Sequence, residues 1–200
     1  MSAAILWGVP DAKHGRVAAQ SDTSMIGRRA RARFPAPKDM FKKIILALAT
    51  GGGLGYAPVA SGTFGTLPGL LLMAALAPLW REARLWPWQA LAALTLTALA
   101  IPICDAAERH FQNKDDSRIV ADEYLTFPIG LLGLPLTMPV LIMAFLTNRT
   151  MDIIKPPPAR QLQKCRGGMG IVIDDCIAAF YSLLLNHLLW RLWQSSGFSA

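Results

Sequence analysis

Residues 122–155 read DEYLTFPIGLLGLPLTMPVLIMAFLTNRTMDIIK, and the fold turns on how this stretch is threaded. Residues 124–147 carry no charge and are long enough to cross about 30 Å of hydrocarbon, which takes ~20 helical residues. As one straight helix rising ~1.5 Å per residue, the run would hold its ends roughly 36 Å apart, on opposite membrane faces. Asp122 and Glu123 could then share nothing with Arg149, Asp152 and Lys155. Pro128, Gly130, Gly133, Pro135 and Pro139 argue against a straight rod, because proline removes a helix hydrogen bond and clashes with the preceding turn. A re-entrant hairpin, its irregular backbone sheltered by neighbouring helices, would return Arg149 and Asp152 to the side holding Asp122 and Glu123. The competing solution is a compact bundle, mostly buried in itself, that only dips into the bilayer.

The composition favours the membrane. Hydrophobic residues make up 53% of the 200-residue chain and charged residues 16%, with a mean hydropathy of +0.35, outside the ordinary soluble range. The formal net charge of +7 calls for an anionic partner, and the apolar content makes that partner anionic membrane lipid. No nucleic-acid module is present in the pattern. Cys104, Cys165 and Cys176 form no C-x-x-C pair, which indicates neither a disulfide framework nor a zinc knuckle and points to a reducing, cytoplasmic face.

The chain divides at about residue 40. Residues 1–39 hold seven basic groups, Lys13 to Lys38, against Asp11, Asp22 and Asp39, with no apolar periodicity, and read as a disordered basic extension that either touches anionic lipid or precedes the native start at Met40. Residues 40–200 read as one all-α domain, a membrane-embedded bundle with three to four apolar helices, one of them broken by Pro and Gly. Residues 67–80 predict a helix short for a span, 85–104 and 124–147 are long enough, and 176–193 is marginal because Asn186 and His187 interrupt it; Trp190, Arg191 and Trp193 form an interfacial anchor.

Carboxylates beside long apolar segments read as a site unless they are paired or exposed. Two acidic pairs stand out, Asp122 with Glu123 and Asp174 with Asp175, and adjacent helical residues point ~100° apart, so one member of each pair is expected to face a common ion while the other caps or orients. Asp152 sits three residues from both Arg149 and Lys155, on one helical stripe that Pro156, Pro157 and Pro158 terminate. It is either a ligand or part of a salt-bridge ladder. Hard oxygen donors without a His or Cys cluster suit Mg2+. Gly62, Thr63, Gly65 and Thr66, leading into an apolar helix, can present amides and hydroxyls to phosphate, or can serve tight packing. No complete nucleotide-binding loop is present.

Taken in order, Gly62-Thr63-Phe64-Gly65-Thr66, Ile119-Val120-Ala121-Asp122-Glu123, Arg149-x-x-Asp152-x-x-Lys155-Pro156-x-Pro158 and Gly167-Gly168-x-Gly170-x-x-x-Asp174-Asp175 resemble the motifs of the phosphatidylglycerophosphatase A family, over residues 44–190; Asp115 also fits the pattern. The resemblance implies an all-helical enzyme of a bacterial inner membrane, with its site on the cytoplasmic face. Its expected reaction is Mg2+-dependent removal of the terminal phosphate of phosphatidylglycerophosphate to give phosphatidylglycerol. Asp122, Glu123, Asp152, Lys155 and Asp175 are the expected catalytic groups. Thr63, Arg149 and Lys155 would bind phosphate, and Glu123, Asp152, Asp174 and Asp175 would hold the metal. Water or an aspartate is the nucleophile; no Cys is followed six positions later by Arg, as a cysteine phosphatase loop requires, and His14, His110 and His187 are scattered. The alternative is a non-enzymatic cation carrier or assembly subunit, whose acids would line a continuous path rather than converge.

Overall fold

A computed structural model describes residues 37–163, 165 and 167–196. Of the basic extension, residues 1–36 lie outside them, while 37–39, read from the sequence as part of a disordered arm, belong to the first helix. Among the described residues the regular structure is helical, with no strand: α1 (Pro37–Ala49), α2 (Ser61–Trp80), α3 (Trp86–Phe111), α4 (Ala121–Thr126), α5 (Met138–Ile154), α6 (Ala159–Leu162) and α7 (Gly168–Ser195), with 3-10 turns at Gly51–Tyr56, Ala83–Leu85 and Phe127–Leu131.

Three segments are long and apolar enough to cross a membrane, Ser61–Trp80, Ala83–Phe111 and Gly168–Ser195. All three are longer than the sequence pattern predicts, the middle one running past residue 104 to Phe111. Helix α2 begins at Ser61 rather than near residue 67, because its glycines, each unfavourable by ~1 kcal/mol in isolation, let α4 approach: Gly65 lies against Val120 and Gly69 against Phe127. Helix α7 starts at Gly168, where an added Cβ would collide with the Ile101 carbonyl of α3. The outer faces are apolar, with Leu71, Leu94, Leu146, Leu184 and Leu188 exposed, which is the surface expected towards lipid tails.

Residues 124–147 are not one helix. The chain leaves α4 through the 3-10 turn, passes an irregular stretch at 132–137 and returns on α5. Its free backbone groups are met by buried polar side chains. Trp80 Nε1 donates to the Leu131 carbonyl at 3.0 Å, Asn186 Nδ2 to the Gly130 carbonyl at 2.8 Å, and Gln89 Oε1 accepts from the Gly133 amide at 2.9 Å. His187 Nε2 stands 2.9 Å from the Leu132 carbonyl. The residues that interrupt the apolar surface of α7 therefore tie the break in place, as a broken segment at membrane depth requires.

Two apolar clusters fill the ends of the bundle. Met73, Trp80, Phe127, Leu131, Leu134, Val140 and Ala144 pack around the break. At the other end Ala100, Cys104 and Ala107 of α3 meet Ala121, Tyr124 and Leu125 of α4 and Ile171 and Val172 of α7. Small residues there allow α4 to sit deep among the longer helices, and Val120 N donates to Ala49 O at 2.8 Å while the Tyr124 hydroxyl donates to Leu48 O at 2.9 Å.

Asn186 also accepts from the Thr147 hydroxyl at 2.7 Å, so one side chain joins α5, α7 and the break. Asn186→Leu leaves a buried carbonyl and a buried hydroxyl without this partner and should destabilise the protein in detergent by about 1–3 kcal/mol, read as a lowered unfolding midpoint. Leu188→Ala, two residues on and on the exposed face, should change it by less than about 0.5 kcal/mol. Equal effects would contradict this role for Asn186.

Candidate active site

The hairpin brings α4 and the end of α5 together. Arg149 Nη1 bonds Glu123 Oε2 at 3.0 Å, across 26 residues of sequence, and its Nη2 reaches Asp152 Oδ2 at 3.1 Å. Thr66 Oγ1 adds a donor to the same Glu123 oxygen at 3.1 Å. The cation of α5 thus ties α4 to its own helix.

Lys155 takes a different partner from the one a ladder along α5 predicts. The helix ends there in a left-handed turn, with Lys155 at φ 49° and its amide bonded to Met151 O at 2.8 Å. This conformation is unfavourable for a side chain with a Cβ. It carries the ammonium across to α7, where Nζ bonds Asp174 Oδ2 at 2.8 Å.

Together these groups line a pocket of about 280 Å³ bordered by Ser61, Gly62, Asp115, Asp116, Ser117, Ile119, Asp122, Glu123, Arg149, Asp152, Lys155, Asp174 and Asp175. Every acid singled out from the sequence reaches it, and so do Arg149 and Lys155. Both members of each acidic pair line the wall, where one was expected: the pocket lies between three elements, so side chains ~100° apart on one helix still border the same space. Asp122 and Glu123 stand in the first turn of α4, though no side-chain cap bond forms there, and Asp174 and Asp175 are buried beyond the first turn of α7, where capping does not explain them.

Thr63 is the exception. It is exposed on α2 and outside the lining. Ser61 and Gly62 border the pocket instead, one residue back at the first turn of α2, and Thr66 is the hydroxyl that bonds an acid. Gly62 stands close to the chemistry: an added Cβ would lie 2.7 Å from Glu123 Oε1 and 2.5 Å from Arg149 Nη2 and would displace the ends of those side chains. Asp116 is a further lining acid that the motifs do not mark; Arg118 holds it at 2.7 Å and stacks over the Phe111 ring, 4.0 Å from its centroid.

Negative charge is in excess. Arg149 and Lys155 serve Glu123, Asp152 and Asp174, while among the described residues no base pairs with Asp122 or Asp175, and Asp122 Oδ1 is buried without a hydrogen-bond partner. Among the described residues no group of three or more His, Cys, Asp or Glu side chains is arranged to hold a metal ion. The acids named above converge on one pocket, the arrangement that an enzyme needs.

Asp122 and Glu123 lie on α4, outside the three long helices. Burial, the largest influence on each, disfavours the ionised form and raises Asp122 to about 7 and Glu123 to about 8; Asp174 adds repulsion at Asp122, and Arg149 and Thr66 partly offset the rise at Glu123. The folded chain therefore holds these protons more tightly than the unfolded chain. The stability they contribute is full below their ordinary values of 3.8 and 4.5 and is lost as pH rises through about 7 to 8. In chelator, the melting temperature of the protein in detergent should fall between about pH 5 and pH 8.5, and Asp122→Asn should fall less. A flat profile, or one rising with pH, would contradict the buried acid cluster.

A family model described as Phosphatidylglycerophosphatase A matches residues 47–190. The phosphatidylglycerophosphatase A of Escherichia coli K12 is 31% identical over 150 residues, 73% of this chain and 83% of that protein. The protein of that name from Haemophilus influenzae is 33% identical over 153 residues, 76% and 91%. A Bacteroides thetaiotaomicron protein named "Putative phosphatidylinositol-3-phosphatase" is 35% identical over 142 residues, 69% and 88%. No solved structure matches. With its ordered motifs closed into one pocket and its helices those of a membrane protein, this chain belongs to the phosphatidylglycerophosphatase A family of phosphatases.

Proposed function

We propose that this protein hydrolyses the terminal phosphomonoester of phosphatidylglycerophosphate, with Mg2+, at the cytoplasmic face of a bacterial inner membrane, and so supplies phosphatidylglycerol for phospholipid synthesis. The observation that carries the reading is the convergence of Asp122, Glu123, Asp152, Asp174 and Asp175 with Arg149 and Lys155 on one pocket. The names of the Escherichia coli and Haemophilus influenzae relatives support this choice of lipid.

The donor set fits magnesium. The unpartnered Asp122 oxygen and the unpaired Asp175 are hard ligands in search of positive charge, and Mg2+ commonly takes only one or two carboxylates, keeping water and substrate phosphate as its other ligands. A closed cage of three or more side chains is therefore not needed. Asp175 and Asp122 would hold the ion, with Glu123, Asp152 and Asp174 beside them. Bound there, it would polarise the phosphoryl group and neutralise charge that develops on it.

The chain's own groups do the rest. Arg149 and Lys155 are cations already oriented by carboxylates, and each keeps N–H groups for phosphate oxygens. The first amides of α2, at Ser61 and Gly62, border the pocket at the positive end of a long helix dipole. Phosphomonoester hydrolysis depends mainly on positioning and charge stabilisation, so this preorganised shell is where catalysis arises. An aspartate near the reacting phosphorus either deprotonates a water or attacks directly.

Positive charge supports the orientation. Arg109, Lys114, Arg118 and Arg160 lie in or beside the connections at the pocket end, against Arg81, Arg84 and Arg191 at the other.

Purified protein should release phosphate from phosphatidylglycerophosphate with magnesium and not in chelator. Asp152→Asn and Asp175→Asn should each lower kcat at least about 100-fold while the protein stays folded and membrane-bound. Full turnover in chelator would overturn the metal assignment, and wild-type turnover in both variants would overturn the site.

A further inference from the structure

The lipid proposed above carries two phosphates, the terminal monoester that is cleaved and a phosphodiester that joins the headgroup to the diacylglycerol. The acidic pocket accounts for the first. Its two bases pair with its acids, Arg149 with Glu123 and Asp152 and Lys155 with Asp174, and Arg118 just outside the lining pairs with Asp116. The remaining N–H groups of Arg149 and Lys155 serve the reacting phosphate, and the lining holds no further base for a second anion.

A second cleft, of about 360 Å³, adjoins the first and shares Lys155 with it. Ile154, the three prolines 156–158, Arg160 and Gln161 form its remaining wall. This wall is held in place from both sides. The Tyr181 hydroxyl of α7 donates to Pro157 O at 2.9 Å, and Gln163 Nε2, just beyond α6, donates to Asp115 Oδ2 in the acidic pocket at 2.7 Å.

Arg160 is the charged group that Lys155 does not share between the two clefts. Its Nη2 donates to the Ile154 carbonyl at 3.1 Å, which lays the guanidinium against the end of α5. One of five N–H donors is used, and no carboxylate pairs with it among the described residues. A tethered, unpaired guanidinium beside a phosphate site is suited to a second phosphate.

The geometry points to Arg160 as the specificity-determining residue that binds the phosphodiester of the lipid headgroup, in the proline-walled cleft next to the reacting phosphate. This rests on the phosphatase reading above and names the feature by which that site selects its substrate class: a monoester joined through a short polar linker to an anionic diester. A phosphate carried directly on diacylglycerol lacks the second charge.

The test is the kinetics of Arg160→Gln and Arg160→Lys on phosphatidylglycerophosphate in mixed micelles, with phosphatidylglycerol and inorganic phosphate as product inhibitors. Phosphatidylglycerol is the leaving group and keeps the diester, and inorganic phosphate carries the transferred phosphoryl group. Arg160→Gln should raise KM and the inhibition constant of phosphatidylglycerol by about tenfold. It should leave kcat within about twofold and phosphate inhibition unchanged, and Arg160→Lys should recover part of the loss. Unchanged KM and phosphatidylglycerol inhibition would overturn the assignment. So would a fall in kcat together with weaker phosphate inhibition, which would put Arg160 on the reacting phosphate or in the fold. Wild-type protein that releases no phosphate overturns the phosphatase reading itself, and this assignment with it.

Discussion

The hydrogen bond from Arg149 to Glu123, 3.0 Å long and 26 residues apart in sequence, is the contact on which the rest depends. It exists only because the chain between them is broken. Each backbone group left without a partner in hydrocarbon costs several kcal/mol, so the break at 127–137 requires side chains that can reach it. Trp80, Gln89, Asn186 and His187 are those side chains. They come from α2, α3 and α7, the three elements long enough to cross a membrane. The scaffold holds the hairpin, and the hairpin closes the site.

The site itself is under tension. Acids are crowded and partly buried, Lys155 and Asp115 both adopt positive φ without being glycine, and Asp122 keeps a buried oxygen unpaired. Features of this kind are unfavourable for the resting fold and persist where surrounding structure over-determines them. They make chemical sense for a pocket that receives positive charge and a phosphate together: what is repulsive in isolation becomes a ligand set. Stability and activity then pull in opposite directions at Asp122, as is common at catalytic sites.

Much of this was legible in the residues. Five Pro and Gly positions between 128 and 139 announce the break, and the acids and bases at its two ends announce what the break is for. The partners of the broken backbone were not legible. Gln89 bonds an amide 44 residues away and Asn186 a carbonyl 56 residues away, and each reads locally as a polar flaw in an apolar helix. The glycine motif was half legible: that Gly62 abuts chemistry was an open alternative, but the choice among Ser61, Thr63 and Thr66 depends on the rotation of α2, which an apolar pattern with no strong face does not fix. The length of α2 was hidden for a related reason. Glycines that weaken a lone helix are favourable where another helix must come close.

The account stands most directly on the return of α5 to α4. In a protein with its native cysteines replaced, spin labels at the exposed positions Ser117 and Thr150, reconstituted in bilayers, report that separation. A hairpin gives a dipolar distance below about 25 Å, whereas one continuous helix through 124–147 would hold the labels roughly 40 Å or more apart. A single population at the longer distance would contradict the shared pocket.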